Sequence, residues 1–69
     1  MKERTVTLIH DAVLRHNIGW SNVSSRVAEN EGIPLQEACA QTAALIEGRA
    51  CSLPVAAAVI ELIAARPHG

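Results

Sequence analysis

The sequence predicts an all-α fold: a compact bundle of four short helices in a single domain over residues 1–69, helix-turn-helix-like and dimeric through the C-terminal helix. Three observations predict it. Trp20 is the one aromatic side chain, so Val, Leu, Ile and a large amount of Ala must build the core, and Ala has the highest helix propensity. The internal glycines and prolines fall where apolar periodicity breaks. Residues 52–65 are apolar on nearly every side, so other elements must cover them.

The first helix is expected over residues 5–16. Thr5 is a suitable capping residue, and apolar side chains recur at the helical positions i, i+3 and i+7, which predicts one buried face. These side chains are Val6, Ile9 and Val13. Asn17 tolerates a left-handed conformation, and Gly19 follows it closely, so the helix is expected to stop there.

The second helix is expected over residues 21–29, with Ser21 as its N-cap. Val23, Val27 and Ala28 are predicted to face inward. Asn30 and Gly32 then close the helix. Trp20, just before it, has two interpretations: a plug at the junction of the first two helices, or a hot spot for a partner, where tryptophan is enriched.

The third helix is expected over residues 34–47, with Pro34 in its first turn and Gly48 as its stop. Its predicted inward stripe has regular helical spacing. The stripe consists of Leu35, Ala38, Cys39, Thr42, Ala43 and Ile46.

The fourth helix is expected over residues 52–66, between the N-cap Ser52 and Pro67. One side is predicted to meet the stripe of the third helix, namely Val55, Val59, Leu62 and Ile63. The remaining apolar surface exceeds what a 69-residue monomer readily covers, because small cores need support from oligomerisation, disulfides or metals. We therefore expect a homodimer whose interface contains Leu53, Ala57, Ile60 and Ala64.

Composition and motifs argue against catalysis. No close Cys or His pair has zinc-ligand spacing, no phosphate-binding glycine loop occurs, and Cys39 and Cys51 lack a well-placed base nearby in sequence. The sequence therefore predicts no enzyme activity, no catalytic residues, no metal and no cofactor. The apolar runs are too short for a membrane span, and no targeting segment is apparent. A cytoplasmic protein with reduced cysteines is expected.

Two segments carry a family resemblance. Trp20-Ser-Asn-Val-Ser-Ser-Arg-Val-Ala28 precedes a regular helix that ends Leu45-Ile-Glu-Gly48-Arg49. This order resembles the helix-turn-helix domains of the Cro/lambda-repressor (Xre-like) class. The resemblance implies a dimeric DNA-binding transcriptional regulator of phage or mobile-element type, with the third helix in the major groove. It implies that Gln36 and Gln41 read bases. Arg15, Arg26 and Arg49 would contact phosphates.

The charge distribution leaves a second function open. The net charge is −1, which gives no general attraction to nucleic acid. The alternative is a small phage- or bacterium-encoded helical protein that binds and inhibits another protein, of anti-activator or anti-defence type, without binding DNA. For this function Trp20, Glu37 and Glu47 are the candidate contact residues.

Overall fold

The computed structural model describes residues 3–65 and is all-α over that range. The four helices are α1 (Glu3–Arg15), α2 (Trp20–Glu31), α3 (Leu35–Ile46) and α4 (Leu53–Ala64). The prediction of four helices and no strand is confirmed for the described residues, and each helix end falls within two residues of its expected position. None of these helices combines the length and the apolar character that a membrane crossing needs.

The connection between α1 and α2 depends on two backbone conformations. Asn17 is left-handed, with φ of 55°, as predicted. Gly19 is extended, and its carbonyl accepts from the backbone N–H groups of Asn22 and Val23 at 3.0 and 3.2 Å. Gly19 is therefore the N-cap of α2. The expectation that Ser21 caps this helix is wrong, because the helical hydrogen bonds begin two residues earlier, at Gly19, and place Ser21 inside the first turn.

The connection between α2 and α3 is the short turn 32–34. Gly32 has φ of 63°, a conformation that favours glycine, and its N–H donates to the carbonyl of Ala28. Pro34 then takes an extended conformation, and its carbonyl accepts from Ala38 N–H at 3.1 Å. Pro34 is therefore the cap of α3 rather than a residue of its first turn.

Ser52 begins α4 as predicted. Its hydroxyl oxygen accepts a hydrogen bond from Val55 N–H at 3.4 Å, which satisfies one of the free donors of the first turn. The same hydroxyl donates to Oε1 of Gln41 at 2.8 Å and so ties the start of α4 to α3. The helix ends at Ala64. The predicted stop at Pro67 lies outside the described residues.

The core lies around α2, which packs against both α3 and α4, whereas α1 makes fewer close approaches to those two helices. Its buried apolar members are Val6, Val13, Val23, Val27, Ala38, Leu45, Cys51, Val55, Ala56, Ala58 and Val59. The inward side of α4 thus includes Val55 and Val59, as expected. However, α4 packs mainly against α2. The expectation that it packs mainly against the apolar stripe of α3 is therefore wrong.

The inward face of α3 also differs from the prediction. Ala38, Thr42 and Leu45 are buried, but Leu35 and Ile46 are 54% and 43% exposed, and Cys39 is exposed as well. Apolar residues occur around most of this helix, so spacing alone does not fix its rotation. Contact with α2 selects the face that contains Leu45, because that rotation buries Leu45 completely.

Two hydroxyl groups are buried where α2 meets α3. The Ser24 hydroxyl donates to Oγ1 of Thr42 at 3.0 Å, and the Thr42 hydroxyl donates to the carbonyl of Ala38 at 3.0 Å. Both residues are almost fully buried. Buried polar groups are costly unless they are hydrogen-bonded, and within residues 3–65 no buried side-chain nitrogen or oxygen lacks a partner. This short chain of hydrogen bonds fixes the register of α2 against α3.

Candidate functional site

A groove lies between α1 and the C-terminal end of α3. Its volume is about 310 Å³, at the lower end of the usual range for ligand sites. It is lined by Val6, Thr7, His10, Ile46, Glu47 and Gly48. Val6 is buried and Ile46 is partly exposed, so apolar groups are flanked by polar ones. We call this surface the α1/α3 groove.

Trp20 supports one wall of the α1/α3 groove. Its ring lies 5.6 Å from the ring of His10, centroid to centroid, with the two planes inclined at 44°. Trp20 is half-buried and packs against the core. This placement is compatible with the junction role expected for Trp20. A direct role in binding a partner stays a prediction.

Glu47 lies at the opposite side of the groove, immediately after α3. Its carboxylate accepts from Nε of Arg49 at 2.8 Å. Between them Gly48 has φ of 73°, and the backbone N–H of Arg49 returns to the carbonyl of Ala44 at 2.9 Å. Glu47 and His10 therefore line the same groove. Glu37, the third candidate for partner contact, lies in the first turn of α3, at the other end of the helix.

The three arginines expected to contact phosphate all have a carboxylate beside them. Arg15 pairs with Asp11 at 2.8 Å, Arg49 pairs with Glu47 at 2.8 Å, and Arg26 lies 4.0 Å from the carboxylate of Glu61. Glu61 also accepts from Nδ2 of Asn30 at 2.8 Å. Exposed pairs of this kind contribute little to stability. Their effect on recognition is larger, since each carboxylate offsets the charge that a phosphate would need.

The two glutamines expected to read bases are in different environments. Gln36 is exposed, but Gln41 is half-buried and accepts the hydroxyl hydrogen bond of Ser52. The structure therefore assigns Gln41 a part in joining α3 to α4. The base-reading role of both residues stays a prediction.

The residues expected at a dimer interface lie together on α4. Leu53 and Ile60 are 74% and 59% exposed, and Ala57 and Ala64 are also exposed. All four follow one face of the helix at spacings of four, three and four residues. We call this set the α4 seam.

The sequence pattern indicated no binding role for His10 beyond that of a rejected metal ligand, and it predicted that Ile46 is buried. A signal for His10 existed in its position four residues after Val6, on the same face of α1. No sequence signal connects that face with the end of α3, because the contact depends on how α1 crosses the bundle. The site was therefore visible only in the folded chain.

In comparisons with known proteins, no family model, no curated protein and no solved structure matches this chain. Over residues 3–65, no three side chains of the types His, Cys, Asp and Glu converge to form a metal site.

The two cysteines provide a test of the packing. Cys39 is exposed and Cys51 is buried, and burial raises the pKa of the Cys51 thiol. Because only the thiolate reacts, we expect a thiol reagent at pH 8 to modify Cys39 quickly and Cys51 only after unfolding. The raised pKa of Cys51 in the folded state also has a consequence for stability: the free energy of unfolding should be constant below the ordinary thiol pKa and should decline as pH rises above it. Rapid modification of both thiols in native buffer, followed by mass spectrometry, would contradict the burial of Cys51.

Proposed function

We propose that this protein acts without catalysis, by binding another protein through the α1/α3 groove and the C-terminal end of α3 that borders it. The observation that carries the proposal is the groove itself, in which apolar Val6 and Ile46 are bordered by His10 and Glu47. A concave, mainly apolar surface with a few polar groups is the usual form of a binding site. Its volume suits one or two side chains of a partner.

The charges on α3 support a protein partner over DNA. The exposed positions of this helix and its C-cap include Gln36, Glu37 and Glu47, and Arg49 is already paired with Glu47. Neutralising phosphates supplies much of the affinity of DNA-binding proteins, and this surface has no unpaired arginine to do so. It suits a partner that presents an apolar side chain flanked by basic residues. By covering that surface, this protein would inhibit whatever function of the partner depends on it.

Site-specific photo-crosslinking tests this proposal. A benzophenone amino acid would replace Ile46 in one variant and Leu35 in another, both exposed apolar positions at opposite ends of α3. After irradiation in cells that carry the gene, we expect one discrete protein conjugate from position 46 and none from position 35. Equal conjugates from both positions, or none from either, would contradict the use of the groove.

Affinity measurements with the identified partner then separate contact from chance proximity. We expect Ile46→Glu to raise the dissociation constant at least about tenfold, because it places a charge against an apolar contact. Leu35→Glu is the matched control and should leave the constant unchanged. Circular dichroism of both variants would verify that the helices remain folded.

A second candidate, DNA binding, is favoured by the turn between α2 and α3. Helix-turn-helix units join their two helices through a turn of three or four residues that often contains glycine, and the turn 32–34 has this length and contains left-handed Gly32. The candidate predicts a mobility shift with random-sequence duplex DNA at low salt, weakening steeply as salt is added. Arg26→Glu combined with Arg49→Glu should abolish the shift. Lack of any shift for the unaltered protein at about 50 mM salt would eliminate this candidate.

A further inference from the structure

The α4 seam is an exposed apolar face on residues other than those of the α1/α3 groove. Its residues alternate in size along the helix: Leu53 is large, Ala57 small, Ile60 large and Ala64 small. Leu53 is the most exposed large apolar residue in the described chain. Spacings of four, three and four residues are those of a helix-pairing seam, in which knobs of one helix enter holes of another.

We propose that the occupant of this seam is a second copy of the chain, with the two α4 helices antiparallel about a two-fold axis between Ala58 and Val59. In that arrangement Leu53 of each chain lies opposite Ala64 of the other, and Ala57 lies opposite Ile60. Every level of the interface then pairs one large with one small side chain. The interface is isologous, as two-fold symmetry requires.

The alternation in size is what selects the antiparallel arrangement. A parallel pair would place leucine against leucine and isoleucine against isoleucine, and would leave alanine against alanine at the levels of Ala57 and Ala64. Two helices cannot approach closely at one level and remain apart at the next without leaving voids, which are destabilising. The antiparallel pair keeps a constant separation and leaves no such voids.

The charges around the seam also fit a second copy. Glu61 is the single charged residue of α4, and it is held by Asn30 at 2.8 Å and by Arg26 at 4.0 Å within its own chain. The two-fold axis places Glu61 opposite Ala56 of the other copy, so the two carboxylates do not meet. A partner rich in charge would find no complementary group along this face.

The size of the seam sets the expected strength. The 12 residues of α4 extend over about 18 Å, and one helix face of that length buries less than the roughly 800 Å² per partner of a stable interface. We therefore infer a monomer–dimer equilibrium that shifts with concentration, rather than a permanent dimer. This inference is independent of the α1/α3 groove, which lies on other residues.

Disulfide crosslinking tests the arrangement directly. In a Cys39→Ser background, one protein would carry Leu53→Cys and a second would carry Ala64→Cys, mixed in equal amounts under mild oxidation. We expect the mixed disulfide to exceed each homodimer by much more than the roughly twofold excess that random pairing of equal amounts gives, because positions 53 and 64 face each other whereas two copies of position 53 lie about 16 Å apart along the helix. Leu35→Cys in the same background is the control for random collision.

A Leu53→Cys homodimer in excess of the mixed product would overturn the antiparallel arrangement in favour of a parallel one. Crosslinking no faster than the Leu35→Cys control would overturn pairing through α4 altogether. In sedimentation equilibrium, Ile60→Glu should raise the dimer dissociation constant at least about tenfold, with helix content unchanged. Leu35→Glu should not change it, and an equal effect of both variants would also count against the seam.

Discussion

Leu45→Ala is expected to unfold most of the protein near room temperature. Leu45 is completely buried and is the largest of the fully buried side chains in residues 3–65. Replacing a buried leucine with alanine removes about 2–5 kcal/mol from the free energy of unfolding. A single core in a chain this small supplies only about 3–5 kcal/mol in total. The loss is therefore comparable with the whole stability of the monomer.

Urea denaturation followed by circular dichroism measures this effect, with Leu35→Ala as the matched control. Both leucines belong to α3, but Leu35 is 54% exposed, so its replacement should change the free energy of unfolding by no more than about 0.5 kcal/mol. If the two variants were equally stable, the rotation of α3 described above would be wrong.

Thr42→Val is expected to lower the free energy of unfolding by about 1–3 kcal/mol, although it conserves the shape of the side chain. The substitution removes the oxygen that accepts from Ser24 and the hydroxyl that donates to Ala38. The Ser24 hydroxyl then remains buried without this partner. An unsatisfied buried donor costs more than the net contribution of the hydrogen bond that it lost.

The pairing of the two hydroxyls predicts that their removal is not additive. The double variant Ser24→Ala, Thr42→Val should be at least as stable as Thr42→Val alone, because no unsatisfied hydroxyl remains at the α2/α3 contact. A double-mutant cycle from urea denaturation should give a coupling energy of about 0.5–3 kcal/mol. Strict additivity of the two single effects would show that the hydroxyls do not interact.

The sequence predicts only some of the carboxylates that lie beside the arginines. Asp11 and Arg15 are four residues apart on one helix, a spacing that predicts their contact. Arg26 and Glu61 lie on different helices, α2 and α4. Only the packing of those helices brings the two side chains together. The same packing decides that a residue expected to contact phosphate lies beside a carboxylate of its own chain.

The beginnings and ends of the helices were largely determined by sequence, because they depend on neighbouring residues. Asn17, Gly32 and Gly48 have left-handed backbone conformations just after the ends of helices. Ser52 caps α4 with its own side chain. Such conformations arise from local sterics and local hydrogen bonds. The all-α class follows equally directly, since a chain with one aromatic residue and abundant alanine has few other ways to build a core.

Tertiary structure alone decided which faces are buried and where the α1/α3 groove lies. Apolar residues surround most of α3, so several rotations are almost equivalent in sequence, and contact with α2 selects the one that buries Leu45 and leaves Leu35 and Ile46 exposed. The helix on which α4 packs was decided in the same way. Local sequence specifies where a helix forms; burial against a particular neighbour, which involves residues far apart in the chain, specifies how it is turned.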